Sequence, residues 1–277
     1  MNCVGTRLSL PLGVILLLFN LTGLKAAIAA APSERAFSEK FMFRLSSYGV
    51  LDADTDMAVL SSEGIGTGFS YSDDLGGDDS ATTPRIDAYY RFNKKHRIEF
   101  THFRIERDGS QLITIDLDIG DESYNVGDTV VSSIDYELFK IDYAYSFYHS
   151  PTVELIASAG LNLTAYEFEY ERADGSSADA SEVTGPLPMF GLEMSYAISP
   201  KWTLHYLSEA FFISIGDELE GAFQNFEINI EYRIHKHFVL GGGAARFSTD
   251  LDARDSNWKG RLADSHRALL LYASYYL

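Results

Sequence analysis

The chain has 277 residues, with 22 Lys and Arg against 40 Asp and Glu and a formal net charge of -18, which disfavours a nucleic-acid partner because phosphate binding needs a basic surface. Hydrophobic residues make up 46%, yet the mean hydropathy is -0.08, which excludes a bundle of membrane-spanning helices. A single cysteine excludes an internal disulfide framework and a Cys-rich metal site, and no cofactor motif stands out.

The first apolar stretch is at the start. Arg7 precedes a run from Leu8 to Leu24 that is nearly all apolar, and Ala27-Ile28-Ala29 supplies a small-x-small cleavage site. This is the anatomy of a secretory signal peptide, residues 1–29, with Ala30 as the mature N-terminus. Pro11 and Gly13 inside the run argue against an uncleaved anchor. Cys3 lies in the removed part, so the mature chain is free of cysteine, which suits an oxidising compartment. Residues 30–40 are expected to form a short periplasmic N-terminal segment.

From Phe41 onward, apolar residues recur with period two, the signature of strands rather than helices. Ile86, Ala88, Tyr90 and Phe92 interleave with Arg85, Asp87, Tyr89 and Arg91; Phe139, Ile141, Tyr143, Tyr145 and Phe147 interleave with Lys140, Asp142, Ala144 and Ser146. The same holds for 190–198 and 226–234. The pattern predicts ten strands, near 41–51, 85–92, 97–107, 134–148, 153–169, 187–198, 202–215, 223–234, 238–248 and 266–277. Eight is the alternative if two belong to an extension outside the membrane. After Phe100 the apolar residues shift to Phe103 and Ile105, and after Ala165 to Tyr166, Phe168 and Tyr170, which marks either bulges or strands rising above the membrane.

The connections alternate as well. Short polar turns sit at 93–96, 150–151, 199–201 and 235–237, and long loops at 52–84, 108–133, 171–185, 216–221 and 249–265. Short turns at one end and long loops at the other are the plan of an all-β, antiparallel transmembrane β-barrel over 41–277, with both termini on the short-turn side. The long loops hold 25 acidic residues against four basic ones, which leaves the rest of the mature chain close to neutral. The acidity belongs to one end of the molecule.

The polar strand faces carry Arg44, Arg85, Asp87, Arg91, Glu99, Lys140, Asp142, Glu154, Glu193, Glu209, Glu227, Glu231 and Arg233. In a barrel whose apolar face meets lipid these residues line the lumen and pair there. Ten strands enclose a space that side chains largely fill, so an internal ion-pair network that closes the barrel is favoured over a narrow cation-preferring channel. Aromatics gather at strand ends, as at Tyr145, Phe147 and Tyr148 or Tyr272, Tyr275 and Tyr276, where interfacial girdles belong.

On these features (leader, alternating strands, short turns, long loops, and a last strand with Leu269, Leu271, Ala273, Tyr275 and Leu277 on one face) the chain resembles Gram-negative outer-membrane β-barrel proteins of the small OmpW-like or OmpA-like kind. The resemblance covers nearly the whole chain. It implies the bacterial outer membrane, a monomer, contact with lipopolysaccharide, and recognition of the terminal strand by the barrel-assembly machinery. That strand usually closes with Phe or Trp in the family, and here it ends Tyr275-Tyr276-Leu277. The resemblance implies location and fold and no reaction; the role expected is structural, interactive or minor transport, and not enzymatic.

Three chemistries are weighed by the residues they would need. Ten-stranded barrels include the omptin proteases, which oppose an Asp-x-Asp pair to an Asp-x-His pair to activate water. Asp264-Ser265-His266 has the second pattern, and Asp52-x-Asp54-x-Asp56, Asp116-x-Asp118 and Asp250-x-Asp252 have the first. Asp-x-Asp is expected by chance in loops this acidic, so Asp264 and His266 remain a low-ranked catalytic pair. A lipid A deacylase would need His205 and Ser208 on one face, and their spacing puts them on opposite faces. Asp73, Asp74, Asp78 and Asp79 around Gly76-Gly77 form the densest acidic cluster. Weak bridging of lipopolysaccharide phosphates through divalent cations is its functional reading, and hydrated loop carboxylates the plainer one. His235 and His237 are too few for a metal site.

Overall fold

The computed structural model describes residues 37–61, 64, 66–215, 219–254 and 259–277. The leader and its cleavage site lie outside the described residues. The chain forms β1 (Phe41–Val59), β2 (Gly68–Ser70), α1 (Tyr71–Leu75), β3 (Ala81–Arg91), β4 (His96–Leu112), β5 (Leu117–Ile119), β6 (Glu122–Tyr124), β7 (Thr129–His149), β8 (Val153–Arg172), β9 (Ala178–Ala197), β10 (Trp202–Ile215), β11 (Leu219–Arg233), β12 (Phe238–Arg254) and β13 (Lys259–Tyr276). Ten of these pair antiparallel in sequence order, β1-β3-β4-β7-β8-β9-β10-β11-β12-β13, and β13 returns to β1. The sheet closes into a ten-stranded barrel, not an eight-stranded one. β2 flanks β1, and β5–β6 is a separate small hairpin.

Closure is tight at the short-turn end, where the Lys40 and Phe41 amides both donate to the Leu277 carbonyl at 2.7 and 3.0 Å. Such closure leaves no free sheet edge, the condition for a sheet that lies in hydrocarbon.

The outer face carries a uniform apolar belt. On β7, β9, β11 and β13 it occupies the outward positions of 139–147, 190–198, 226–234 and 269–277, nine residues each time. Phe190, Leu192, Ile228 and Leu271 are 63%, 59%, 49% and 73% exposed. Nine residues rise about 27 Å along a strand. At a tilt of about 40° that is about 21 Å along the barrel axis, close to the lipid-facing band of outer-membrane barrels. Water-soluble monomers rarely leave so continuous an apolar surface bare.

Above the belt the faces exchange polarity. On β4 the outward row changes from Ile98 and Phe100 to Arg104 and Glu106, while the inward row changes from Arg97, Glu99 and Thr101 to Phe103 and Ile105. On β8, Glu167 and Glu169 point out while Tyr166, Phe168 and Tyr170 are buried inside. The registers of β4 with β7 and of β7 with β8 run through both places without a shift. The apolar displacements after Phe100 and Ala165 are therefore not bulges. The strands keep their register and leave the membrane, so water replaces lipid outside and the interior becomes the dry side.

The long loops are correspondingly shorter than the sequence suggests. β1 continues to Val59, β8 and β9 approach each other to Arg172 and Ala178, and β12 and β13 to Arg254 and Lys259. Much of the acidic crown is strand with its carboxylates turned outward. Real register shifts occur elsewhere, between Val50 and Asp52 of β1 and between Ser146 and Tyr148 of β7. The first turns Leu51 and Asp52 both outward and keeps Val50 and Ala53 inside.

Candidate functional site

The interior is the candidate site, and it is built in two storeys. In the lower storey, at the level of the apolar belt, lies a polar network. Arg44 bonds Glu231 at 2.8 Å. Arg85 bridges Asp87 and Glu227 at 2.9 and 2.8 Å. Arg91 holds both oxygens of Glu154, at 2.8 and 3.0 Å, a fork-on-carboxylate geometry. Lys140 contacts Glu209 at 2.6 Å and Asp142 at 3.3 Å. Arg233 reaches Glu39 at 3.0 Å. Arg97 pairs with Glu99 and, at 2.6 Å, with Glu193.

The structure thus places all thirteen charged residues named from the polar strand faces inside the barrel, each in an ion pair. Arg97 belongs with them and was not among them. It abuts a polar turn, where side-chain direction is hard to assign, but its spacing of two from Glu99 puts it on the same face. Neutral groups fill gaps: Asn229 donates to Glu227 at 2.6 Å, Asn225 to Glu209 at 3.0 Å, and Thr101 to Asp87 at 2.9 Å. His205 points into this storey, 2.9 Å from the Ser195 hydroxyl and 3.3 Å from Glu231, while Ser208 lies on the opposite face. The two do not form a dyad.

Small residues make this crowding possible. A Cβ on Gly160 would stand 2.1 Å from Asp142 Oδ1, and one on Gly241 2.3 Å from the Tyr272 ring. That ring in turn supports Arg44, whose guanidinium carbon is 4.1 Å from the ring centroid. A cavity of about 510 Å³ remains between the charged groups, and it reaches Ser38, Lys236, His237 and Leu277 at the short-turn end.

Above that cavity the inward residues are mostly aromatic. Tyr48 stacks on Phe103 with centroids 5.1 Å apart, Tyr136 on Tyr166 at 4.6 Å, and Phe247 on His266 at 5.0 Å. Higher still, α1 and β2 fold inward as a plug. Tyr71 and Leu75 are fully buried, and Phe69 and Tyr71 pack on Phe168. Ser70 caps α1 by accepting from the Asp73 amide, Asp74 accepts from the Ser70 amide at 2.8 Å, and Gly76 takes the left-handed conformation (φ 65°) at the other end. Burial pushes the Tyr71 hydroxyl up to about 12, because its ionised form would be stranded in the dry interior. Its hydroxyl donates to the Arg107 carbonyl at 2.8 Å.

Asp264 and His266 lie inside the upper storey, both buried. Asp264 accepts from Thr55 at 2.6 Å and faces Arg107 at 3.4 Å, and His266 meets the Tyr48 hydroxyl at 3.1 Å. The neighbouring Asp52, Asp54 and Asp56 point to the outside of the same wall, as does Asp250. Asp116 and Asp118 lie in the segment around β5. The Asp-x-Asp and Asp-x-His patterns are therefore not brought together. Asp73 and Asp74 serve the cap of α1, and Asp78 and Asp79 are exposed. Among the described residues, no group of three or more His, Cys, Asp or Glu converges as a metal site. His235 and His237 stand 6.4 Å apart by ring centroids on an exposed turn.

No family model matches the chain, and no curated protein does. Solved structures do resemble it. The outer membrane protease OmpT from Escherichia coli is similar with a TM-score of 0.55 at 12% identity, over 87% of this chain and 98% of that one. Ail, the attachment invasion locus protein of Yersinia pestis, and the outer membrane protein OprG from Pseudomonas aeruginosa each give 0.39. Their identities are 8% and 10%, over 84% and 86% of this chain and 99% and 96% of theirs. At such identities the likeness to OmpT speaks for the fold alone, a closed antiparallel barrel of the outer-membrane type.

Proposed function

We propose that the protein is a monomeric outer-membrane barrel with a structural or surface-interaction role, and that its lumen does not conduct. One observation carries this reading: an ion-pair network crosses the interior inside the lipid belt, and a packed aromatic storey lies above it. A pore needs a continuous wet path, whereas the cavity here is lined by the paired charged groups and reaches the short-turn end, and Tyr48, Phe103, Tyr136 and Phe247 belong to a buried aromatic cluster that does not line it. What the protein offers to the outside is the hydrated wall above the belt, whose outward carboxylates include Asp54, Asp56, Glu167, Glu169 and Glu182. Such a wall favours basic or cation-bridged partners and repels free anions.

The same reading covers the remaining expectations. The chain is delivered with its leader removed near Ala29-Ala30. Its terminal strand β13, which seals the barrel against β1, is then the element the assembly machinery reads. A protease is disfavoured because the Asp264 carboxylate is buried and occupied by Thr55 and Arg107, out of reach of a peptide.

Planar bilayer recording tests the central point. The full mature chain inserts without current steps, and insertion is verified by heat-dependent gel mobility. Discrete unitary currents from inserted protein would refute the proposal.

A further inference from the structure

On the lipid side of the barrel, Arg246 of β12 and Arg267 of β13 lie directly opposite each other in register, and both point outward. Like charges in that relation repel, and such a pair is normally selected against. Arg267 is partly neutralised by Asp52 of β1, whereas Arg246 stands opposite Phe226 on its other side and makes no ion pair among the described residues. The group of Arg246, Arg267 and Asp52 therefore carries net positive charge on a wall whose outward charges are mostly acidic.

Its height is the second observation. Immediately below the pair the outward row is apolar, with Leu269 and Ala244, and immediately above it is polar, with Ser248 opposite Ser265. The two guanidinium groups thus sit at the rim of the apolar belt, at the level of lipid headgroups.

The shape below is the third. β12 presents Gly242 and Ala244 outward where its neighbours present Ile228 and Ile230 on one side and Leu269 and Leu271 on the other. The small side chains leave β12 recessed between its neighbours from Arg246 down into the belt, a shallow trough that Leu271 edges into, its methyl 3.3 Å from where a Gly242 Cβ would stand.

We propose that this surface binds a phosphorylated, acylated lipid of the outer leaflet, with Arg246 and Arg267 donating to a headgroup phosphate and an acyl chain lying over Gly242 and Ala244. Two forked donors on one phosphate are charge-assisted hydrogen bonds, and the bound anion removes the repulsion that the bare pair carries. Ser248 and Ser265 add hydroxyl donors on the headgroup side. The contact is direct, so it needs no divalent cation. This distinguishes it from bridging through the acidic loops. The site rests on the outer-membrane placement proposed above.

The test uses the full mature chain folded in neutral detergent micelles with a chelator present. Diphosphorylated lipid A, its dephosphorylated form and inorganic phosphate are compared by native mass spectrometry and by thermal shift. Diphosphorylated lipid A is expected to bind and to raise the melting temperature, and the other two to do neither. The R246Q/R267Q variant should bind it about tenfold more weakly or worse. Arg104→Gln, at an outward arginine already paired with Asp135, should leave binding unchanged. Ala244→Leu keeps both arginines and fills the trough, and it should weaken lipid A binding independently. Equal binding by R246Q/R267Q, equal binding of dephosphorylated lipid A, or equal affinity for inorganic phosphate would each overturn the proposal. Retained heat-dependent mobility of every variant separates loss of the site from loss of the barrel.

Discussion

Replacing Tyr71 by Ala tests whether the plug is part of the folded core. The side chain is completely buried, its ring edge lies against Phe168 with centroids 6.1 Å apart, and a Cβ on Gly77 would fall 2.1 Å from the ring. The barrel wall around it is hydrogen-bonded into a closed sheet, so the space left behind cannot collapse. Truncating a large buried aromatic under those conditions costs about 3–5 kcal/mol. The lost bond to the Arg107 carbonyl adds about 1 kcal/mol. Tyr71→Phe isolates the second contribution and should cost about 1 kcal/mol alone. Because the plug can open while the barrel stays closed, the assay is hydrogen exchange of the amides of 68–80, with urea unfolding in vesicles as the global measure. Protection of that segment should fall strongly in Tyr71→Ala and slightly in Tyr71→Phe. If the two variants lose the same amount, the ring is not packed as described and the upper closure is not a core.

Three further outcomes follow from the interior. Arg91→Met removes the forked partner of Glu154, which is 1% exposed and keeps His149 at 3.2 Å and Arg97 at 3.9 Å, so the cost in urea unfolding should fall below the ~3–5 kcal/mol of a wholly unpaired buried charge; the double change with Glu154→Gln should recover much of that loss. Alkaline pH should loosen the plug: the folded Tyr71 stays neutral past its ordinary value of 10, so its contribution to stability is complete below pH 10 and is lost as the pH rises through about 12. The tyrosinate absorbance that the unsubstituted chain gains over Tyr71→Phe should rise in that window together with proteolysis of 68–80, and the variant should lack that pH-dependent proteolysis. Asp264→Ala should lower stability by about 1–3 kcal/mol, because Thr55 and Arg107 lose their partner, and should leave peptide hydrolysis at the background of the unsubstituted chain. A hydrolytic activity abolished by that change would restore the protease reading.

The fold was legible because a barrel wall repeats one rule, apolar outward and polar inward, and residues 139–147 or 226–234 state it without interruption. The charged lining followed from the same rule. What misled was the place where the rule inverts. Tyr166, Phe168 and Tyr170 alternate with Glu167 and Glu169 as regularly as the strand below them, but in the opposite phase. A polar outward row with charges reads as loop when one expects lipid outside, so strand length was underestimated at β1, β8, β9, β12 and β13. The plug was hidden for another reason. Tyr71 and Leu75 sit four apart in a stretch dominated by Asp, Ser and Gly, and a single helical turn offers too few positions for a period to emerge. Ser70 followed by Asp73 and Asp74 is a capping pattern and was the available signal.

The inversion also determines what opening the plug can do. Below the rim the wall is surrounded by hydrocarbon, so polar side chains are tolerated inside, where they pair and meet water from the short-turn end. Above the rim the wall is hydrated outside, and the interior becomes the apolar side, as in a water-soluble protein. On the proposed reading the two closures thus arise from different solvents and are independent. Removing residues 68–80 takes away Phe69, Tyr71 and Leu75, but the layer of Tyr48, Phe103, Tyr136, Tyr166 and Phe247 is contributed by the wall itself. Beneath that layer the ion pairs of Arg85, Lys140 and Arg97 still span the lumen. A chain lacking 68–80 should therefore insert, keep its heat-dependent mobility, lose protection around Phe168, and remain silent in planar bilayers. Steady unitary currents from that deletion alone would mean that the wall does not fill the barrel, and that the plug is a gate rather than the cap of a closed core.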